Sequence, residues 1–316
     1  MKSVANNPSV AVIDIGSNSI KVLIAARDAA GNVASLHSRT IDARISAGIS
    51  SADPQLGSEG MARGLTAIQE LLMDAAPFKP ARTVLVATSA VRDAGNGAEF
   101  RAKVKTAVGH DIRILSGDEE ANLIGRGLTS DPALAALQDF YVFDLGGGSL
   151  ECLAFQGRRV QQAVSLPLGC VRLTEKFVPN PSAPFAAETM EKIAKHTHIA
   201  LARSGFLFAL PDAVAVGTGG TVATVRAILG ARTRLRAEQT APVVNVADLR
   251  GLLDQLSPLS LEQRQRIPGM PAARADVFPA ALTTFLVLAA LGGLSSFHHS
   301  FYNLRWGLAA DALEHL

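Results

Sequence analysis

The sequence has few cysteines and almost no net charge. Its two cysteines, Cys152 and Cys170, form no C-x-x-C pair and have no histidine at metal-ligand spacing. We therefore expect reduced thiols rather than a disulfide framework or a zinc site. The 30 basic and 28 acidic residues leave a formal net charge of +2, which excludes a strongly basic nucleic-acid-binding coat. These absences predict a cytoplasmic protein without a nucleic-acid partner.

Signals for secretion or membrane insertion are also lacking. The N-terminal stretch reaches Asp14 before an apolar core of a signal peptide develops, so no signal peptide is expected. Residues 277–297 carry no charge over 21 positions, a length that could cross a bilayer. This run contains a proline, two threonines and paired glycines, and no basic cluster flanks it. It is better interpreted as a buried helix, and no membrane association is expected.

The length and the alternation of elements indicate an α/β protein of two domains. A chain of 316 residues is too long for one ordinary core. Strands are predicted at 10–15, 20–25, 83–87, 111–115 and 213–216, with further strand around the glycines at 146–148 and on to about 164. Helices are predicted at 60–74, 98–108, 117–128, 186–202, 222–229, 246–256, 261–266 and 302–316, in addition to the uncharged run. Strands that alternate with helices are typical of the α/β class.

A long internal repeat supports two similarly built domains. VIDIGSNSIKVLI (12–24) aligns without gaps on VFDLGGGSLECLA (142–154), 130 positions later. Each copy is an apolar strand, Asp-x-Gly-x-x-Ser and a second strand, which predicts a β-hairpin with a glycine-bearing tip in each domain. We expect one domain over 1–128, with the C-terminal helix 302–316 packed on it, and a second over 129–301.

Three glycine-bearing turns are candidates for binding phosphate. A turn without side chains exposes successive main-chain N–H groups, which form an anion-binding concavity. GSNS and GGGS are the hairpin tips, and GTGGT leads into a predicted helix, whose N-terminus also attracts anions. The candidate phosphate-binding residues are Gly16, Ser17, Asn18, Ser19, Gly146, Gly147, Gly148, Ser149, Gly217, Thr218, Gly219, Gly220 and Thr221. No G-x-x-x-x-G-K-[ST] motif occurs, so a P-loop enzyme is not expected.

Two aspartates, Asp14 and Asp144, each end an apolar strand beside a hairpin tip. A carboxylate there is costly unless it is solvated or coordinated. Acids beside a phosphate-binding turn suggest Mg²⁺ bridging carboxylate, water and phosphate. The alternative is an aspartate that only caps its own turn. Because the arrangement occurs twice, phosphate with Mg²⁺ is the favoured interpretation.

Two neighbouring glutamates have different predicted roles. Ser116 and Glu119 match a capping box, which engages Glu119 at the helix start. Glu120 lies on one helical stripe with Ile124 and Leu128, so it should point to the interior or to a cleft. A carboxylate in such a place has a raised pKa or serves chemistry, and Glu120 is the candidate general base.

Arg92 follows a predicted strand in the polar segment TSAVRDAGNG. Arginine is the preferred bidentate partner of phosphate oxygens. The alternative is an ordinary surface arginine. Its neighbours Thr88, Ser89 and Asn96 favour the functional interpretation.

Six segments in order resemble the exopolyphosphatase / guanosine pentaphosphate phosphohydrolase family, a member of the actin, sugar-kinase and Hsp70 superfamily. They are AVIDIGSNSIKVLI, ATSAVRDAGNG, ILSGDEEANLIGRGL, VFDLGGGSLE, SLPLGCVRLTEKF and VGTGGTVATVRAIL. The resemblance is clear from about residue 10 to 230. It implies two ribonuclease-H-like domains with an active-site cleft between them. It also implies Mg²⁺-dependent release of terminal phosphate from polyphosphate or guanosine pentaphosphate.

The resemblance also implies roles for individual residues. It makes Glu120 the catalytic base, and Asp144 and Glu151 the metal-associated acids. It assigns the three glycine turns to phosphate and makes Arg92 the arginine of the family's T-S-A-x-R motif. From these roles we expect Asp14 to reach the metal through water.

The sequence departs from the family pattern at several places. RISAGIS (44–50) replaces the usual R-L-G-x-G-L segment, and Lys21 occupies the position equivalent to Glu151. The late R-A-D is present at 274–276 without the glycine that normally follows soon after. The chain also ends at Leu316, as in a short member with two domains.

Two other functions are compatible with the same fold: an ATP-dependent small-molecule kinase, and a non-catalytic nucleotide-sensing protein. The motifs do not separate polyphosphate from guanosine pentaphosphate, because both end in a phosphoanhydride. The oligomeric state stays open, with a homodimer among the alternatives.

Overall fold

The computed structural model describes residues 7–316. These residues form two compact units. The first comprises residues 7–135 together with Tyr302–Leu316, and the second comprises Ala136–Phe301. The sequence prediction placed this division between 128 and 129 and joined the last helix to the first domain.

The first unit is built on a five-stranded mixed sheet. Its strands are β1 (Ser9–Ile15), β2 (Ile20–Arg27), β3 (Val33–Ile41), β4 (Arg82–Ala87) and β5 (Ile112–Ile114), in the order β3-β2-β1-β4-β5. The first three strands are antiparallel, and β4 and β5 continue the sheet in parallel. Every residue of β1 is buried, which accounts for its nearly continuous apolar sequence.

The helices of the first unit surround this sheet. They are α1 (Ser58–Ala75), α2 (Ser89–Arg92), α3 (Gly97–Val108), α4 (Gly117–Thr129) and, from the C-terminus of the chain, α11 (Leu304–Glu314). Short 3₁₀ segments occur at Ala76–Phe78 and Pro132–Leu134.

The second unit repeats the same plan with one additional strand. Its strands are β6 (Phe140–Leu145), β7 (Leu150–Gln156), β8 (Arg159–Leu166), β9 (Val214–Thr218), β10 (Val243–Asn245) and β11 (Ser296–His299). Their order is β10-β11-β9-β6-β7-β8. Its helices are α5 (Cys170–Phe177), α6 (Ala187–Arg203), α7 (Gly220–Arg232), α8 (Val246–Leu256), α9 (Leu261–Gln265) and α10 (Phe278–Gly292), with 3₁₀ segments at Ala237–Gln239 and Ala272–Arg274.

The two sheets share one topology. The run β8-β7-β6-β9-β11 of the second unit corresponds to β3-β2-β1-β4-β5 of the first. The internal repeat falls on β1-β2 and β6-β7, which are antiparallel hairpins as expected. The predicted α/β class with two ribonuclease-H-like units is therefore confirmed, and the predicted cleft stays a prediction.

Several elements differ from the sequence prediction. Strands β3 and β10 and helix α5 were not predicted. The uncharged run divides into helix α10 and strand β11, because Gly293 adopts a φ of +61° and ends the helix. The first turns of α10 are buried, as expected for a core helix. Among residues 7–316, no helix combines the length and apolar character needed to cross a membrane.

The C-terminal helix packs tightly on the helix that carries Glu120. A Cβ on Gly127 of α4 would overlap the carbonyl of Asn303, and one on Gly307 of α11 would overlap the carbonyl of Leu123. The guanidinium of Arg126 lies 2.6 Å from Asp311 and also contacts Glu314. Helix α4 is thereby fixed within the first unit.

Candidate active site

The tip of the first hairpin is a buried polar turn. The Gly16 N–H donates to the Ser19 carbonyl at 3.2 Å, which closes the turn. Ser17, Asn18 and Ser19 are all buried. The Asn18 side-chain oxygen accepts from Arg44 at 3.0 Å. Its Nδ2 is buried and has no acceptor among residues 7–316, so this tip presents a donor suited to an anionic oxygen.

Asp14 lies opposite a cation in this hairpin. Asp14 and Lys21 are cross-strand partners, and Lys21 Nζ lies 3.8 Å from Asp14 Oδ2. A lysine beside the carboxylate offsets its charge. This ion pair makes Asp14 a poorer direct metal ligand.

The side chains of the two neighbouring glutamates of α4 have different surroundings, as the sequence predicts. Ser116 accepts from the Glu119 N–H at 3.2 Å, and the Ser116 N–H donates to Glu119 Oε2 at 2.8 Å. This capping box is confirmed. The Ser116 N–H and then Arg113 hold the pKa of Glu119 below its usual value. Glu120 is instead buried, with 6% of its surface exposed.

Arg92 and Glu120 meet within the first unit. Arg92 Nη1 lies 3.1 Å from Glu120 Oε2 and donates to the Leu115 carbonyl at 2.9 Å. Arg92 Nε lies 3.4 Å from Asp93. The sequence suggested phosphate as the partner of Arg92, whereas the structure places its guanidinium on the predicted base. The ion pair orients the Glu120 carboxylate.

The second hairpin places two acids face to face. Asp144 and Glu151 are cross-strand partners in β6 and β7. Glu151 is only 2% exposed, and its Oε1 accepts from Ser165 at 2.8 Å. Like charges directly opposite each other destabilise a sheet, and burying a carboxylate costs free energy. A cation at this pair would offset both costs.

This pair of acids fits Mg²⁺ that is shared with a phosphate ligand. Within residues 7–316 there is no group of three or more side chains that could hold a metal alone. Mg²⁺ in phosphate-transfer sites is commonly held by one or two carboxylates, substrate phosphates and waters. Two carboxylates beside a glycine turn match that donor set.

The third glycine-bearing turn contains fewer residues than the sequence suggested. Gly217 and Thr218 belong to β9, which was predicted to end at 216, and Gly220 and Thr221 open α7. The turn itself is Gly219, with a φ of +81° that favours glycine. A Cβ there would overlap Asp144 Oδ1. The structure thus brings the third turn against the acid of the second hairpin.

Sequence reasoning did not assign a role to Arg274, which also lies at this turn. Its guanidinium occupies the space that a Cβ on Gly220 would need, and its Nη2 lies 3.5 Å from Thr221 Oγ1. Its Nε is buried and has no acceptor in the described part of the chain. The late R-A-D motif at 274–276 was the sequence signal that could have identified Arg274 as a candidate. It could not place the arginine, because the contact spans 53 positions of sequence.

Neither cysteine is suited to nucleophilic catalysis. Cys152 and Cys170 are both buried, and neither is in a disulfide. Burial first, and the charge of Glu151 second, raise the pKa of Cys152 well above its usual value. Because the thiolate is the reactive form, this neighbour of Glu151 stays protonated at neutral pH.

Comparison with known proteins extends over almost the whole chain. A family model described as the Ppx/GppA phosphatase family matches residues 7–315. The Aquifex aeolicus PPX-GPPA enzyme is 25% identical, with a TM-score of 0.77 over 96% of this chain and 99% of that one. An exopolyphosphatase from Cytophaga hutchinsonii is 21% identical, with a TM-score of 0.85 over 98% of each chain. The second likeness shows a shared fold.

Proposed function

The chain belongs to the Ppx/GppA phosphatase family, and on that premise we propose that it hydrolyses the terminal phosphoanhydride of a phosphate chain. The substrate is inorganic polyphosphate, guanosine pentaphosphate or both. The observation that carries the proposal is the buried Glu120 carboxylate. It is held by Arg92 and is not engaged in capping its helix.

Glu120 is the general base of the proposed reaction. Its carboxylate accepts a proton from water while the water oxygen attacks the terminal phosphorus in line with the leaving phosphate. Arg92 keeps the carboxylate in a fixed orientation, and positioning supplies much of the rate in phosphoryl transfer. Its guanidinium is also available to a terminal phosphate oxygen.

The glycine turns hold the phosphates in this proposal. The two hairpin tips offer main-chain N–H groups and the serine hydroxyls, and the first tip adds the Asn18 Nδ2 donor, which has no acceptor among the described residues. The third turn offers the N-terminus of α7, and Arg274 adds a positive charge beside it. Together these donors suit an anionic chain with several oxygens per phosphorus.

Asp144 and Glu151 would hold Mg²⁺, with Asp14 contributing through water. When bound, the ion offsets the charge on the leaving phosphate. Asp144 and Glu151 place their carboxylates for that purpose at the end of the β6-β7 hairpin. The proposed partner is inorganic polyphosphate or guanosine pentaphosphate, and we propose neither a nucleic-acid nor a membrane partner.

Glu120→Gln tests the proposal, with its neighbour as the matched control. We expect Glu120→Gln to lower the rate of phosphate release by about 10²- to 10⁴-fold, the contribution of a positioned base. Glu119→Gln should retain nearly full activity, because glutamine also completes a capping box. Phosphate release is measured from short polyphosphate, long polyphosphate and guanosine pentaphosphate, with Mg²⁺ and with chelator.

Three outcomes of this experiment would contradict parts of the proposal. Wild-type turnover in Glu120→Gln would remove Glu120 as the base. Phosphate transfer from ATP to an acceptor, without free phosphate, would identify a kinase. Tight ligand binding without any phosphate release in Mg²⁺ would identify a nucleotide-sensing protein.

A further inference from the structure

All three glycine carbonyls of the second hairpin tip are engaged by the start of helix α5. The Cys170 N–H donates to the Gly146 carbonyl at 3.0 Å, and the N–H groups of Val171 and Arg172 donate to the Gly147 carbonyl at 2.9 and 3.2 Å. These donors are available because the first N–H groups of a helix have no partner within it. Arg172 Nε completes the set by donating to the Gly148 carbonyl at 3.0 Å.

This arrangement determines where the N–H groups of the tip point. Residues 7–316 contain no cis peptide bond, and in a trans peptide the C=O and the N–H point in opposite directions. The N–H groups of Gly147, Gly148 and Ser149 therefore point away from α5. None of the three donates to an acceptor in the part of the chain that the structure describes. Successive unpaired N–H groups of this kind form an anion-binding concavity.

In the first hairpin the equivalent carbonyls are also engaged, but by different groups. Ser17 and Asn18 are equivalent to Gly147 and Gly148 in the internal repeat. The Ser17 carbonyl accepts from Ser46 Oγ at 3.0 Å, and the Asn18 carbonyl accepts from the Arg44 N–H at 2.9 Å. A loop in one unit and a helix in the other thus hold the equivalent carbonyls. Because two unrelated segments engage the equivalent carbonyls, the orientation of the peptide groups at the tips is a shared feature of the two units.

Gly169 allows α5 to approach the tip. Its backbone, with φ −62° and ψ 150°, is open to any residue. A Cβ on it would nevertheless lie well under 3.0 Å from the Gly147 carbonyl and the Gly148 backbone. Any side chain at 169 would therefore push α5 and the tip apart. The requirement for glycine here comes from the contact alone.

We infer that Gly169 and Arg172 are positioning residues that hold the tip 146–149 in its anion-binding conformation. The inference rests on the proposed function in one respect, that this tip binds phosphate. Neither residue needs to touch the substrate. Their effect is on how the N–H groups of the tip are aimed.

The test measures binding of tripolyphosphate by calorimetry in the Glu120→Gln background, which suppresses hydrolysis. Gly169→Ala should bind about 10- to 100-fold more weakly than its control, in line with the effects of lost outer contacts and of small misplacements. The matched control is Gly57→Ala. Gly57 also precedes a helix with φ −66° and ψ 151°, and nothing lies within 4 Å of a Cβ on it.

Arg172→Lys provides a second variant that should not disturb the fold. Lysine keeps the positive charge and the main-chain N–H but lacks the guanidinium Nε. With Glu120 intact, this variant should raise the KM for polyphosphate more than it lowers kcat. A variant that merely lost folded protein would lower kcat and leave KM unchanged.

The outcomes separate the two proposals. If Gly57→Ala and Gly169→Ala bind tripolyphosphate equally well and Arg172→Lys leaves the KM for polyphosphate unchanged, the positioning inference is wrong and the proposed function stands. If even the Glu120→Gln parent binds neither tripolyphosphate nor guanosine pentaphosphate, the proposed function is wrong and the inference falls with it. If Gly169→Ala does not fold, Arg172→Lys decides alone.

Discussion

The two hairpins have the same backbone turn but a different charge. Both tips are closed by one bond, Gly16 N–H to Ser19 carbonyl in the first unit and Gly146 N–H to Ser149 carbonyl in the second. Asp14 then faces Lys21, whereas Asp144 faces Glu151. The first hairpin is neutral by itself. The second places two carboxylates opposite each other, so the same hairpin scaffold carries a different charge in each unit.

The surroundings of the acidic residues also differ between the two units. In the first unit, the buried acid Glu120 pairs with Arg92, which suits a base that must keep one orientation. The second unit places Asp144 against the turn at Gly219, with Arg274 beside the next residue, Gly220, which suits the binding of a charged ligand. In the proposed function, the first unit supplies the base and the second compensates charge.

Glu151→Lys should have the largest effect on activity, because it places a lysine opposite the aspartate of the second hairpin, as in the first. Loss of a metal ligand and of its charge should lower Mg²⁺-dependent phosphate release by about 10²- to 10³-fold. Steady-state phosphate release over a Mg²⁺ titration measures the effect. Glu188→Lys, which reverses an exposed acid of the same unit, is the control and should be nearly silent. Wild-type dependence on Mg²⁺ in Glu151→Lys would refute the assignment of the cation to this hairpin.

Acid should weaken the second unit through His299. Its Nδ1 lies 2.8 Å from Arg226 Nη1, so it must be neutral to accept that bond. Burial first, then Arg226 and His298, lower the pKa of His299 from 6.5 to about 3. Because the unfolded chain binds this proton more readily, stability is complete above pH 6.5 and falls as the pH drops toward 3. We expect a loss of about 1–2 kcal/mol in the free energy of unfolding between pH 7 and pH 5.

Hydrogen exchange of the β9 and β11 amides at the two pH values measures this loss within the second unit. His299→Asn keeps an acceptor for Arg226 and does not titrate, so its exchange should lose most of the pH dependence. An equal loss in this variant would show that other groups are responsible.

Lys21→Glu is the reverse exchange and should have the smallest effect. It gives the first hairpin two facing acids, as in the second. In chelator we expect the free energy of unfolding to fall by about 0.5–1 kcal/mol, since the original ion pair is partly exposed. Added Mg²⁺ should recover part of this loss. Urea denaturation followed by Trp306, the single tryptophan of the chain and a residue of the first unit, measures it.

Lys21→Met is the control for this exchange, because it removes the lysine charge without adding an acid. Its stability should not respond to Mg²⁺. An identical response in the two variants would show that the facing acids are not what recruits the cation.

Sequence patterns predicted the elements with strong periodicity and missed those without it. The buried strands β1 and β6 and helix α8 appear where expected. Strand β3 lies at the edge of its sheet with a half-exposed, polar sequence, and edge strands carry a weaker alternation signal. Strand β10 has only three residues. Strand β11 begins within the same uncharged run as α10, and the left-handed Gly293 ends the helix before it.

The sequence by itself determined what depends on near neighbours: the hairpins, the capping box at Ser116 and the inward direction of Glu120. Hydrogen bonds and side-chain periodicity within a few residues specify these features. Only the tertiary structure decided that Arg92 meets Glu120, that Arg274 lies on the third turn and that α5 holds the second tip. These contacts join residues 20 or more positions apart. They depend on strand order and on close approach at glycines, which no local pattern encodes.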